Sequence, residues 1–149
     1  MEFFRLIRRK LWAAKPMSLQ DWSLFSRAWL LLLVSVIALR HVSLPRIQSF
    51  VRIGSRTYQS ASSNHAAVAD RVRAIVERAA RNHLYPMTCL RQSLVFQWLL
   101  RRHGIESVLK FGVRREGFGI AAHSWVEYTG HSEVRAPGAD GFTELVSTR

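Results

Sequence analysis

Thr88-Cys89-Leu90-Arg91-Gln92-Ser93-Leu94-Val95-Phe96-Gln97-Trp98-Leu99-Leu100-Arg101-Arg102-His103-Gly104 is the stretch whose reading sets the rest of the fold. Leu90, Leu94 and Trp98 recur at four-residue steps, with Leu99 beside them, which predicts a helix over about residues 89–103. Thr88 is a good N-cap, because its hydroxyl can accept from an amide of the first turn. Gly104 stands where a left-handed residue closes a helix. Immediately afterwards the pattern changes. Ile105, Val108, Leu109, Phe111 and Val113 are β-formers, residues 114–119 read as a turn, and a further strand is expected over about 120–128. Thr129-Gly130 is a hairpin signal, and short strands near 132–135 and 142–146 complete a small antiparallel sheet.

Toward the amino terminus the pattern is helical. Val68, Val72, Ile75, Val76 and Ala79 recur at three- and four-residue steps, predicting a helix over about 66–83 with Ser63 or Asn64 as cap. Pro86 separates it from the helix of residues 89–103. Residues 54–65 are small and polar and read as a linker. Before them, Ser18 with Asp21 resembles a capping box with Asp in place of the more usual Glu. A helix over about 19–41 follows, and Pro45 prevents its continuation. The expected organisation is an amino-terminal helical region (1–53), a linker (54–65) and a core (66–149). The fold class is α+β, helices first and then an antiparallel sheet.

The 149 residues suit one domain. Hydrophobic residues at 48% and charged residues at 21% exclude a mostly disordered chain. The net charge of +12 is uneven, since residues 1–60 hold ten basic and two acidic residues. That region is the candidate for contact with something anionic. One cysteine excludes an intrachain disulfide and a four-thiolate zinc site, and it suits the reducing cytoplasm. The longest apolar run, residues 28–39 with only Ser35 interrupting it, is shorter than the about 20 residues of a spanning helix. It reads as a buried helix. The basic, apolar start, residues 1–10, keeps peripheral contact with a membrane surface open.

Cys89 falls at the predicted start of a helix, a place that favours a thiolate, the nucleophilic form of a thiol. His123 lies mid-strand in Ala122-His123-Ser124-Trp125-Val126-Glu127. A helix-borne Cys and a strand-borne His are the two parts of a nucleophile and base. Taken singly, such residues are more often a small buried hydrophobe and a structural imidazole.

Local sequence adds to that pair. Cys89-Leu90-Arg91-Gln92-Ser93-Leu94, Leu99 to Ile105, Phe111-Gly112-Val113-Arg114, and Ala122 to Glu127 with Gly130 resemble the leader peptidase of lasso-peptide biosynthesis. That family is a small transglutaminase-like, papain-related cysteine protease. The helix ending Ala38-Leu39-Arg40, with Leu44-Pro45, also looks like its amino-terminal region. The resemblance covers roughly residues 18–130. It implies Cys89 as nucleophile and His123 as base and then acid. It further implies a precursor peptide as substrate, a separate leader-recognition protein, and an ATP-dependent macrolactam cyclase as partner. No cofactor or metal is implied for this chain, and no phosphate-cradling G-x-x-x-x-G-K-[ST] loop occurs in it, so ATP would act through the partner.

The chain departs from the family in two places. Gln92 stands where the family commonly has Arg, with Arg at 91 instead. Arg135 stands where the family typically has the acid that orients the imidazole. Asp140, Glu133, or a carbonyl, amide or water are the substitutes. Nothing in the sequence fixes the oxyanion hole, and the Cys89 amide is the default donor.

Two other readings stand beside the peptidase. A basic binding module would dock residues 1–60 on nucleic acid or anionic lipid. It leaves the Cys and His motifs unexplained, and no groove-reading motif or stacking platform supports nucleic acid. An acyltransferase would use the same Cys–His pair with an amine in place of water.

Overall fold

The computed structural model of the chain describes residues 17–53, 64–128 and 141–148. Among the described residues four helices precede three strands: α1 (Leu19–His41), α2 (Leu44–Ile53), α3 (Asn64–Arg81), α4 (Cys89–Arg102), β1 (Ser107–Glu116), β2 (Gly119–Tyr128) and β3 (Thr143–Thr148). The sheet is antiparallel with order β2-β1-β3. This is the expected α+β arrangement.

Local chemistry accounts for the helix ends. The Asp21 amide donates to Ser18 Oγ at 3.1 Å, and the Ser18 amide donates to Asp21 Oδ2 at 3.3 Å, so the capping box forms with Asp. Asp21 also pairs with Arg71 at 2.7 Å, which ties the start of α1 to α3. The Ser18 hydrogen bond first, and then the Arg71 one, hold the Asp21 carboxyl below its ordinary range. Thr88 caps α4, and Gly104 follows that helix with φ 73°.

Three expectations need correction. The helix α1 ends at His41, before Pro45, as expected, but Pro45 does not lie in an irregular segment. It lies in the first turn of a separate helix, α2, where a missing amide costs nothing because first-turn amides lack intrahelical partners. The expected turn over 114–119 is tighter: Arg114, Arg115 and Glu116 belong to β1, and Glu116 pairs with Gly119. Gly117 (φ 57°) and Phe118 alone make the turn. Gly at the first position and a negative φ at the second are the requirements of a type II′ hairpin.

The third correction concerns α1. It is buried only along Ala28, Leu32 and Ser35, while Leu30, Val34 and Ile37 are each more than half exposed. At 23 residues it is also long and apolar enough to cross a bilayer by length and composition, although the unbroken apolar run is shorter. The strand expected near 132–135 lies outside the described residues, and the one near 142–146 appears as β3.

The core lies between the helices and one face of the sheet. Leu32, Leu100, Ile105 and Leu109 are fully buried there, with Val126 and Tyr128 from β2. Gln97 Nε2 and the Arg101 guanidinium both donate to the Ser107 carbonyl, at 3.3 and 2.9 Å. These buried bonds fix the middle and end of α4 against the start of β1. The other face of the sheet carries a smaller cluster of Trp125, Phe142 and Ala121.

Gly112 in β1 pairs with His123 in β2. A Cβ at 112 would lie 2.8 Å from the Trp125 ring and 2.9 Å from the Thr143 carbonyl. The missing side chain at 112 is therefore what lets the indole lie against the face of β1. Gly112→Ala is expected to destabilise the fold by roughly 1–3 kcal/mol through overpacking. Chemical denaturation measures this, and an unchanged midpoint would show that the indole moves aside freely.

Candidate functional site

Cys89, Gln92, Ser93 and Phe96 follow the i, i+3, i+4, i+7 spacing and so share one face of α4. That face forms one wall of a cleft of about 230 Å³. Arg73, Val76 and Glu77 of α3 form a second wall, and His123, Ser124, Trp125 and Val126 of β2 a third. Successive strand residues point to opposite faces, yet four in a row line this cleft. The cleft therefore runs over the outer edge of β2, which has no strand partner on that side among the described residues. Cys89 and His123, far apart in sequence, both line this cleft.

One hydrogen bond sets their relative register. Ser93 Oγ, one turn after Cys89, donates to the carbonyl of Ser124, the residue after His123, at 3.0 Å. Both serines are buried. The segment leading into Cys89 is held from the helix itself. The Arg91 guanidinium donates to the Pro86 carbonyl at 2.9 Å, and Gln92 Nε2 donates to the Met87 carbonyl at 3.1 Å. Arg91 and Gln92 together brace the loop that leads into Cys89. Cys89 is free and half-buried. The Cys89 and Leu90 amides make no backbone hydrogen bond, as first-turn amides do not, and remain available to an oxyanion.

The imidazole of His123 is held by aromatic rings. It stacks on Trp125 at 6.3 Å between centroids with 17° between planes, and it packs against Phe142 at 5.3 Å. Trp125 Nε1 donates to Glu127 at 3.1 Å. Glu127 in turn pairs with Lys110 at 2.9 Å, and Lys110 also pairs with Glu144 at 2.9 Å. The hydrogen bonds to Glu127 and Glu144 push the Lys110 ammonium up, so the cation stays in place. Burial first, and then the Arg114 guanidinium, push the His123 imidazole down. Arg114 itself lies over the Phe142 ring at 4.6 Å.

Cys89 and His123 share the cleft without a direct hydrogen bond, and among the described residues no carboxylate bonds His123. Glu133, Arg135 and Asp140, the residues weighed for the third role, lie outside the described residues. Among the described residues no group of three or more His, Cys, Asp or Glu side chains could hold a metal ion.

A family model described as the transglutaminase-like superfamily matches residues 31–147. The chain belongs to the transglutaminase-like superfamily. No curated protein and no solved structure matches it significantly. The superfamily membership accounts for the α+β core and makes cysteine protease or acyltransferase chemistry the relevant class. In such an enzyme the acyl group passes through a thioester, so a thiol at a helix start and a nearby imidazole are the required parts. Arg73 and Glu77 were not legible as cleft residues from the sequence. Their spacing puts them on one face of α3, but only the packing of α3 on α4 shows which face that is.

Proposed function

We propose that this chain is a cysteine peptidase that removes the leader from a ribosomally made lasso-peptide precursor. The observation that carries the reading is the cleft joining Cys89 to His123, registered by the Ser93–Ser124 bond. The Cys and His motifs, which resemble those of the leader peptidases, narrow the class to this substrate.

The reaction balances with the chain's own groups. Cys89 Sγ attacks the carbonyl carbon of the amide joining leader to core, and His123 takes the thiol proton. The oxyanion forms beside the Cys89 amide. The C–N bond then breaks, His123 returns its proton to the leaving amine of the core peptide, and the leader remains as a thioester. Water, deprotonated by His123, releases the leader carboxylate and restores the thiol. The freed amine is the group that an ATP-dependent cyclase would join into a macrolactam. A separate recognition protein would present the precursor in the cytoplasm.

The test is cleavage of the precursor followed by mass spectrometry, with and without the recognition protein. Tethering raises the effective substrate concentration at the site, so the partner is expected to increase the rate by roughly 10²-fold or more. Equal rates would show that this chain recognises the leader itself. In water labelled with the heavy oxygen isotope, a hydrolase places one label in the leader carboxylate. An unlabelled leader amide would instead identify acyl transfer to an amine.

A further inference from the structure

We infer that the outward face of α1, together with Phe50 of α2, seats on an anionic lipid surface in the plane of the membrane. Leu30, Val34 and Ile37 follow the i, i+4, i+7 spacing and are 56%, 57% and 57% exposed. At 100° per residue they lie nearly opposite the buried Ala28, Leu32 and Ser35. One side of the helix is thus committed to α3 and α4, and the other offers an unbroken apolar stripe. Phe50, 71% exposed, extends that stripe. Val34 and Phe50 line the same almost wholly apolar groove between α1 and α2.

Charge selects the occupant. No acidic residue occurs between Asp21 and Asp70. The stripe is bracketed on α1 by Arg27 and by Arg40 and His41, with Arg46 on α2, all exposed. Apolar residues rimmed by cations match the boundary between acyl chains and anionic headgroups, where long basic side chains reach outward to phosphate. A second copy of the chain fits poorly, because a two-fold interface would bring the same cationic rims together. A nucleic acid would satisfy the arginines and leave the apolar stripe in water. Insertion in the plane also preserves the Asp21–Arg71 pair and the packing of α1 on α4, both of which a spanning helix would take into the bilayer. This inference does not depend on the reaction at Cys89.

The full chain is mixed with vesicles of phosphatidylcholine alone or with added phosphatidylglycerol, and binding is read by co-sedimentation. Binding is expected to the anionic vesicles, weakening with salt. Arg27→Gln and Arg40→Gln are each expected to weaken it by roughly five-fold. Val34→Ser with Ile37→Ser, and separately Phe50→Ser, are expected to lower it by about ten-fold or more with thermal melting and Cys89 alkylation unchanged. These variants leave residues 1–10 intact, so a loss is assigned to the face described. Failure to bind either vesicle, or binding indifferent to both apolar variants, overturns the inference. So does a concentration-dependent dimer abolished by Val34→Ser, or alkali-resistant insertion of a spanning helix.

Discussion

Cys89→Ala is expected to abolish cleavage of the precursor while leaving the fold intact. The sulfur is both the attacking atom and the carrier of the leader, so its loss removes the thioester route entirely. What remains is the cleft and its first-turn amides acting on water alone. Loss of a nucleophile in comparable sites costs roughly four to six orders of magnitude in kcat. The fold should tolerate the change. Cys89 is half-buried, makes no disulfide, and leaves Thr88 as cap with Arg91 and Gln92 still bonded to the preceding loop. Thermal unfolding should therefore move by no more than about 1 kcal/mol of stability. Leader removal by the variant at even a hundredth of the native rate, seen by mass spectrometry, would place the nucleophile elsewhere.

The site was only partly legible in the sequence, and the reason differs from residue to residue. Cys89 was readable because Thr88 marks a helix start and the apolar spacing after it has one period. The Ser18–Asp21 box likewise fixed the start of α1. The end of α1 before Pro45 was legible, and the helix after it was not, because a proline that would break a helix interior also suits the first turn of a new helix. Arg114 to Glu116 looked like a turn because they are polar. They are strand residues on the exposed end of a hairpin, where β-structure needs no apolar side chain. His123 lies with Trp125 on the sheet face turned away from the helices, and local sequence could not show that it reaches the Cys89 cleft around the edge of β2. That depends on β2 being an edge strand against the start of α4, a property of sheet order rather than of local sequence. The indole network through Glu127, Lys110 and Glu144 draws on three strands and has no linear signature.

His123→Ala is expected to lower cleavage by roughly 10²- to 10⁴-fold, the usual contribution of a positioned general acid–base group. Burial and Arg114 both disfavour the imidazolium, so the resting ring is neutral down to pH values below its ordinary 6.5 or so. A neutral ring is the form that can accept the thiol proton. Protonation then requires more acid than usual, and the acid limb of kcat/KM should fall below about pH 6.5. Arg114→Gln removes the cationic contribution, which raises the imidazole and moves that limb toward higher pH. The plateau rate should change less than the limb, because Trp125 and Phe142 still flank the ring. In His123→Ala the limb itself should vanish. Alkylation of Cys89 by iodoacetamide should also slow, and by much less than cleavage, since alkylation has no leaving amine to protonate. Cleavage within a few-fold of native in His123→Ala would remove the imidazole from the reaction. An acid limb unmoved by Arg114→Gln would assign it to another group, and the substitutions Glu133→Gln and Asp140→Asn would then show whether a carboxylate from 129–140 reaches the site.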